Sequence, residues 1–275
     1  MLIKVGYDII YEVWTQTPMV LMLNLHPSRD SSVRKCETFN TEPPVPVENF
    51  TDIFGNRCVR IVAPPGHIRL FGEAIVEDSG KPDPVRLDAR QHFIDDLPPA
   101  TLHYLLGSRY CEVEKLSETA WQLFGNTPLG WNRVQAICDW VHNHITFDYL
   151  AAREDKTACD VFKEQRGVCR DFMHLAVTFC RCMGIPARYV TGYLGDIGVP
   201  VAPYPMDFSA WFEVFLGGEW HTFDARHNAR RIGRVLMATG RDATDVALTT
   251  TFGKHALRKF HVITDEVSAE QLETI

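Results

Sequence analysis

The sequence predicts an α+β protein, in which a β-rich N-terminal part precedes a part where helices accompany antiparallel strands. Two observations predict this fold class. Over roughly the first hundred residues, short apolar runs are separated by turns that contain glycine and proline. Beyond them, apolar residues at helical spacing are followed by strand-like runs on either side of Gly217-Gly218. We expect a sandwich-like domain at residues 1–97 and a second domain at residues 98–275.

Four apolar runs make up the predicted β-rich domain. They are residues 2–14, 19–26, 56–63 and 67–76. The first two are joined near Thr17-Pro18 and predict a hairpin, and the last two are separated by the turn signal Pro64-Pro65-Gly66. Asp95–Tyr104, with its two consecutive prolines, is predicted to be a linker to the second domain.

The second domain is predicted to contain four helices and several strands. The predicted helices are Ser117–Phe124, Trp131–Ile145, Thr157–Lys163 and Val168–Met183. The predicted strands are Ala187–Leu194, Phe208–Leu216 and Trp220–Ala225, with 232–239 and 256–263 as further strands of the core sheet. The polar tail from Asp265 to Ile275 is expected to be frayed.

The composition is that of an ordinary globular protein, and it makes some partners poor candidates. The sequence is 45% hydrophobic and 23% charged, with a net charge of -7. It has no basic stripe, which argues against nucleic acid or an anionic membrane as a partner. It also has no apolar window of the length that spans a bilayer, and its N-terminus lacks the features of a signal peptide. We therefore expect a cytoplasmic protein.

One of the eight cysteines stands apart from the others. Without a secretion signal, the cysteines are expected to be reduced thiols that fill the core. Cys169, however, follows Gly167 at the start of a predicted helix. A helix N-terminus presents free N–H groups and the positive end of the helix dipole, which lower the pKa of a thiol and can hold an oxyanion. Cys169 is therefore a candidate nucleophile.

The residues around Cys169 form an ordered set of motifs. They are Gly167-Val168-Cys169, Gly184–Val190, Gly192-Tyr193, Ala210–Val214, Trp220 and Asp224. From about residue 115 to 230 the sequence resembles the core of the transglutaminase-like superfamily, whose bacterial members include candidate cysteine proteases. The resemblance implies a papain-like fold, with a helix-borne cysteine packed on an antiparallel sheet. It also implies acyl transfer from an amide or peptide bond through a thioester, by a protease, a deamidase or a transglutaminase.

The resemblance places the nucleophile at Cys169 and the orienting carboxylate at Asp224, but the position of the family's histidine holds Ser209. If Gly217-Gly218 form the hairpin turn, position 209 and Asp224 share one face of the sheet. A regular strand would turn His227 to the other face, whereas a bulge after Asp224 could bring His227 round as a substitute base.

Several alternatives follow from Ser209. The site is catalytically impaired and the fold binds a peptide or partner without turnover, or His227 or a bound water replaces the histidine. A further alternative is that an accessory subunit or the substrate supplies the base. In each case the expected partner is a peptide or protein, and the sequence gives no indication of oligomeric state.

No cofactor or metal is expected. The histidines considered as ligands lack the spacing of a metal motif; they are His142, His144, His221 and His227. The arginine-rich stretch after Asp224 is either a solvated face or a site for an acidic substrate group.

Overall fold

The structure is a computed structural model that describes residues 1–35 and 38–268; Cys36 and the end of the polar tail therefore lie outside the described residues. The helices are α1 (Pro99–Leu102), α2 (Val113–Phe124), α3 (Trp131–His144), α4 (Ala158–Glu164) and α5 (Cys169–Cys182). The strands of the N-terminal part are β1 (Leu2–Val13), β2 (Thr17–Leu21), β3 (Val33–Lys35), β4 (Asn40–Glu42), β5 (Glu48–Thr51), β6 (Arg57–Ala63) and β7 (Gly66–Glu77). The remaining strands are β8 (Thr146–Phe147), β9 (Arg166–Gly167), β10 (Ala187–Leu194), β11 (Ser209–Leu216), β12 (Glu219–Phe223), β13 (Arg234–Gly240), β14 (Thr249–Thr251) and β15 (His255–Val267).

The predicted β-rich N-terminal part is a sandwich of two antiparallel sheets. One sheet has the order β15-β1-β7-β3, with β4 also on β7, and the other has the order β14-β2-β6-β5. Alternate side chains of both sheets face a common core, as Ile9 of β1 and Met19 of β2 illustrate. The predicted hairpin of the first two strands is wrong, because β1 and β2 lie in different sheets. An alternating pattern shows which face of a strand is buried, but it does not identify the neighbouring strand.

The second part of the chain packs helix α5 against a four-stranded antiparallel sheet of order β12-β11-β10-β13. Nearly the whole of α5 is buried, and α2, α3 and α4 surround it. The predicted hairpin is confirmed: Gly217 and Gly218 have φ angles of 61° and 95°, and Leu216 is paired with Glu219. The remaining pairs continue to Phe212 opposite Phe223.

The last strands return to the sandwich. β15 pairs along the whole of β1, and β14 pairs with β2. The expectation that residues 256–263 belong to the core sheet is therefore wrong, whereas β13 does join that sheet as expected, beside β10. The long edge of β1 offers β15 a ladder of hydrogen bonds that local sequence cannot reveal. Residues 265–267 of the polar tail end β15 instead of fraying.

The two parts share apolar and polar contacts that position the site between them. Tyr193, Phe208 and Val235 belong to the core sheet region but pack into the core of the sandwich. The Asn56 side chain exchanges hydrogen bonds with the backbone of Thr239, at 2.9 Å in both directions. The predicted linker contains short helical turns, including α1. Within the described residues, no helix is long and apolar enough to span a bilayer.

Candidate active site

Cys169 is the first residue of α5, as the sequence predicts. The Asp171 carboxylate accepts a hydrogen bond from the Val168 N–H at 3.0 Å, and Arg170 pairs with the same carboxylate at 3.2 Å. These contacts cap the helix and hold its first turn in place. Cys169 is partly exposed, whereas the other cysteines that the structure describes are buried.

The electrostatic surroundings of the thiol differ from the expectation. Burial of the sulfur raises the pKa of Cys169 to about 11, although the charge on Arg226 and the backbone N–H groups of Arg170 and Ala210 act in the opposite direction. The negative charge of Asp207 raises the pKa further. The prediction of a lowered pKa at the helix start is therefore wrong, because desolvation outweighs the N–H groups. At neutral pH the resting thiol is protonated.

Ser209, at the position of the family's histidine, is the first residue of β11 and is paired with Gly192 of β10. Its side chain is buried, and its hydroxyl has no hydrogen-bond partner among the described residues. Ser209 and Cys169 line the same cavities. The serine thus lies beside the thiol but lacks a titratable group that could accept its proton near neutral pH.

Asp224 and His227 form a hydrogen-bonded pair just after β12. The Nδ1 atom of His227 lies 2.8 Å from Oδ2 of Asp224. The other carboxylate oxygen accepts from the backbone N–H groups of Arg226 and His227, at 3.0 Å each. Asn228 has a φ angle of 47° and donates its N–H to the Asp224 carbonyl. This tight turn interrupts the strand and brings His227 back onto the carboxylate.

A buried arginine keeps the Asp224 carboxyl ionised. Arg234 donates to Oδ2 of Asp224 at 3.0 Å and to Asp83 at 2.9 Å. Burial alone would raise the pKa of Asp224, but the hydrogen bond from His227 and the charge on Arg234 hold it well below its usual range. A carboxylate can only accept hydrogen bonds, so Nδ1 of His227 carries the proton in this pair. A neutral His227 then has Nε2 free as a base.

Two cavities meet at the thiol. A small pocket of about 80 Å³ is lined by Cys169, Ser209, Arg226 and His227. A larger cleft of about 600 Å³ is also lined by Cys169 and Ser209 and extends to the sandwich. The thiol therefore faces a pocket that contains the His227 imidazole on one side and a larger cleft on the other.

The other histidines considered from the sequence lie elsewhere. His221 is opposite Val214, on the side of the sheet where it contacts Trp131. His142 and His144 each bond a backbone carbonyl, at 2.8 and 2.7 Å. Within residues 1–35 and 38–268, no three His, Cys, Asp or Glu side chains form a group that could hold a metal ion.

His174, five residues after Cys169, is fully buried, stacks on Tyr110 and accepts a hydrogen bond from the Ala243 N–H. Burial lowers the pKa of His174 to about 3. His174 therefore remains neutral and packs α5 against the residues around it.

Sequence reasoning missed two charged residues of the site. Asp207 lines both cavities, but it lies in the loop before β11, so no strand or helix period singles it out. Arg234 was predicted only as part of an arginine-rich stretch. Nothing local reveals that it is the arginine that reaches Asp224, because the contact depends on how β13 follows the turn.

The chain matches known proteins over the region that carries this site. Residues 119–225 match the model of the transglutaminase-like superfamily. The crystal structure of a candidate cysteine protease from Cytophaga hutchinsonii is 32% identical, and the match covers 98% of this chain and 91% of that one with a TM-score of 0.85.

Two curated relatives match a shorter region. An uncharacterized protein of Mycobacterium leprae (strain TN) is 32% identical over 117 residues, which are 42% of each chain. The human kyphoscoliosis peptidase is 33% identical over 99 residues, which are 34% of this chain and 15% of the peptidase. The chain thus spans less than half the length of the curated relatives it matches. The match over nearly the whole Cytophaga chain, together with the family model, shows that this protein belongs to the transglutaminase-like superfamily.

Proposed function

We propose that the protein catalyses thiol-dependent acyl transfer on amide or peptide bonds through a thioester on Cys169, with His227 as the base. The observation that carries the proposal is that His227, bonded to the Asp224 carboxylate at 2.8 Å, lines the same pocket as Cys169. A nucleophile, a base and a group that orients the base are the components that covalent acyl transfer needs. Ser209 occupies the position of the family's histidine, and in this proposal His227 takes over its role.

In the first step, the Cys169 sulfur attacks the carbonyl carbon of the substrate while its proton passes to Nε2 of His227. A thiol with a pKa near 11 must lose its proton during attack, because little thiolate exists beforehand. The developing oxyanion is stabilised by free N–H groups at the start of α5, including that of Cys169. Asp224 holds the imidazole in its tautomer and stabilises the positive charge that His227 acquires.

In the second step, the C–N bond breaks, and the imidazolium returns the proton to the departing amine or ammonia. The thioester on Cys169 is then attacked by an acceptor, whose proton passes to His227. The C–S bond breaks, and the imidazolium returns this proton to the Cys169 sulfur. Water as acceptor completes proteolysis or deamidation, whereas an amine gives a new amide bond. The large cleft fits a peptide or protein as the acyl donor.

A second candidate function is peptide or partner binding without turnover. The observation in its favour is the buried, unpartnered Ser209 hydroxyl beside a thiol whose pKa is raised. In this alternative, the cleft binds a peptide while Cys169 stays protonated.

The test is mass spectrometry of the purified protein after incubation with a library of glutamine-containing peptides. Acyl transfer predicts release of ammonia or cleaved peptide, and a peptide mass trapped on Cys169 when the thioester is quenched in acid. The Cys58→Ala variant provides a matched control, because Cys58 is a buried thiol of the sandwich. Peptide binding with neither product nor trapped thioester would favour the binding function instead.

A further inference from the structure

The short strand β14 is at the edge of its sheet, and it lines the large cleft that contains Cys169. It pairs with β2 on one side, and no other strand of the described residues pairs with it. Thr249, Thr250 and Thr251, which are the whole of β14, lie on the wall of this cleft. The second part of the chain contributes Cys169 and Ser209 to the same cleft. One cleft therefore contains both the proposed nucleophile and a strand edge of the sandwich.

The cleft lies at the open edge of β14 and not over the face of its sheet. A cavity over that face would also touch β2, because neighbouring strands lie only about 4.8 Å apart. The structure describes all of β2 and of β6 beyond it, and none of their residues lines the cleft. The cleft instead reaches the other sheet at its own edge strand, β15, through His255 and Phe260, and at the adjoining β1. It thus opens on the side of the sandwich where both sheets end.

The hydrogen bonds at the two ends of β14 show which of its residues bond to β2. The N–H of Met22 donates to the carbonyl of Leu248 at 3.0 Å, and the N–H of Phe252 donates to the carbonyl of Pro18 at 2.9 Å. In an antiparallel ladder, hydrogen-bonded pairs recur at every second residue. The residues whose backbone groups face β2 are therefore 248, 250 and 252.

Thr249 and Thr251 alternate with those residues, so their backbone N–H and C=O groups point away from β2, to the open edge. None of these groups forms a hydrogen bond with another residue in the part of the chain that the structure describes. The Thr249 side chain has a separate role, because its hydroxyl accepts a hydrogen bond from the Tyr11 hydroxyl of β1 at 3.2 Å. That bond anchors β14 across the sandwich. The edge thus presents backbone donors and acceptors to the cleft at the spacing of a strand.

We propose that the substrate is an extended peptide segment that adds a strand to the open edge of β14 and places its reacting carbonyl at Cys169. The peptide is the acyl donor of the proposed function, on which this inference rests. An open strand edge pairs with an extended backbone, whereas the backbone groups of a helix already bond one another. The substrate class is therefore an extended segment of a peptide or protein, recognised through its main chain.

Strand addition gives the sandwich a part in substrate binding. The nucleophile and the proposed base belong to the second part of the chain, whereas β14 belongs to the sandwich. In a peptide paired with β14, every second backbone N–H faces the strand and those between face away. Binding should therefore depend on alternate backbone amides of the substrate, a pattern that recognition through side chains alone does not produce.

The experiment begins with the Cys169→Ala protein, which binds peptides without turnover. A library of acetylated hexapeptides of mixed sequence is passed over it, and the peptide that binds most tightly is identified by mass spectrometry. That peptide is then synthesised as a series in which each member is N-methylated at a different backbone amide. An N-methyl group removes the donor and blocks pairing at that amide, so methylation at alternate positions should weaken binding about tenfold. Methylation at the positions between should change the affinity little.

Thr251→Pro, made in the same Cys169→Ala background, tests β14 itself. Proline removes the Thr251 N–H, which points to the open edge, and leaves the hydrogen bonds to β2 in place. The preceding residue, Thr250, is already in a strand, as a following proline requires. Peptide binding should weaken about tenfold. Thr251→Val is the matched control, because it changes the same side chain but keeps the N–H, and it should bind like its parent.

Equal affinities across the N-methyl series would overturn strand addition, and so would a folded Thr251→Pro protein that binds as tightly as its parent. Failure of every peptide in the library to bind would overturn it as well. If Thr251→Pro does not fold, the N-methyl series decides, because it needs no change in β14. A dimer that Thr251→Pro dissociates, without alternation in the peptide series, would assign the edge to a second copy of this chain instead.

The same peptides separate strand addition from acyl transfer when they are incubated with the protein that retains Cys169. Alternating affinities without release of ammonia or cleaved peptide would support the strand site and contradict the proposed catalysis. Product release with equal affinities across the series would leave the catalysis in place and remove β14 from substrate binding.

Discussion

Ser209 and His227 lie on the same small pocket as Cys169, but different kinds of structure hold them. Ser209 sits on β11, where pairing with β10 fixes its position. His227 sits in a turn that Asp224 organises through one side-chain and two backbone hydrogen bonds. The Asp224 carboxylate, which the family resemblance assigns to position 209, instead bonds a histidine three residues after itself. Under the proposed function, the strand position and the turn position thus share one orienting carboxylate.

The largest expected effect comes from removing Cys169, the proposed nucleophile beside Ser209 and His227. Cys169→Ala should lower acyl transfer by about 10⁴-fold or more, since no thioester can form. The rate of ammonia or product release from peptide amides measures this loss. The control Cys58→Ala should retain the parent rate. Residual turnover of Cys169→Ala near the parent rate would remove Cys169 from the chemistry.

The next largest effect is expected when the imidazole is removed from position 227 and then introduced at position 209. His227→Gln should lower kcat about 10²- to 10³-fold, because it removes the base, whereas Ser209→Ala should change kcat little. Adding Ser209→His to His227→Gln should restore part of the loss, since the imidazole returns to the strand position beside the thiol. The pH profiles of kcat for the three variants check this. If Ser209→Ala lowers kcat as much as His227→Gln does, His227 is not the base that distinguishes the two positions.

A smaller effect, on stability, is expected at Asp224. Asp224→Asn leaves the buried Arg234 without this ion-pair partner and should lower the free energy of unfolding by about 3 kcal/mol in urea titrations at pH 7. The exposed pair of Asp30 with Arg57 is the matched control, and Asp30→Asn should cost less than about 1 kcal/mol.

The Asp224 effect also depends on pH. Because folding lowers the pKa of Asp224, its stabilisation is fully present above the unfolded value of about 3.9 and is lost as the pH falls below it. The stability difference between the parent and Asp224→Asn should therefore shrink as the pH falls from 7 to below about 3. A difference that stays constant over this range would contradict an ionised, buried Asp224.

The smallest effect concerns the charge beside the thiol. The alkylation rate of Cys169 by iodoacetamide should rise with pH up to about 11, because burial raises the pKa of the thiol. Arg226→Gln removes the positive charge that opposes this shift, so alkylation at pH 8 should slow by about two- to fivefold. Peptide mapping of the labelled Cys169 gives the rates, with Arg60→Gln as the control. Faster alkylation in Arg226→Gln would show that Arg226 does not favour the thiolate.

Much of the fold could be predicted because it depends on local patterns. The helices α3 and α5 follow from apolar residues at helical spacing, and the β11–β12 hairpin follows from its two glycines. Strand neighbours that are distant in the chain could not be predicted. β1 pairs with β15 at the other end of the sequence. The alternation of apolar and polar residues indicates which face of a strand is buried, but it does not identify the neighbouring strand.

By itself, the sequence determined the order of the motifs, the position of Cys169 at a helix start and the absence of a histidine at position 209. Only the tertiary structure decided that His227 bonds Asp224, that Arg234 forms an ion pair with the same carboxylate and that burial raises the pKa of the thiol. The physical reason is that hydrogen-bond partners and desolvation depend on atoms brought together by packing. Residue types and spacings specify only the local geometry from which packing begins.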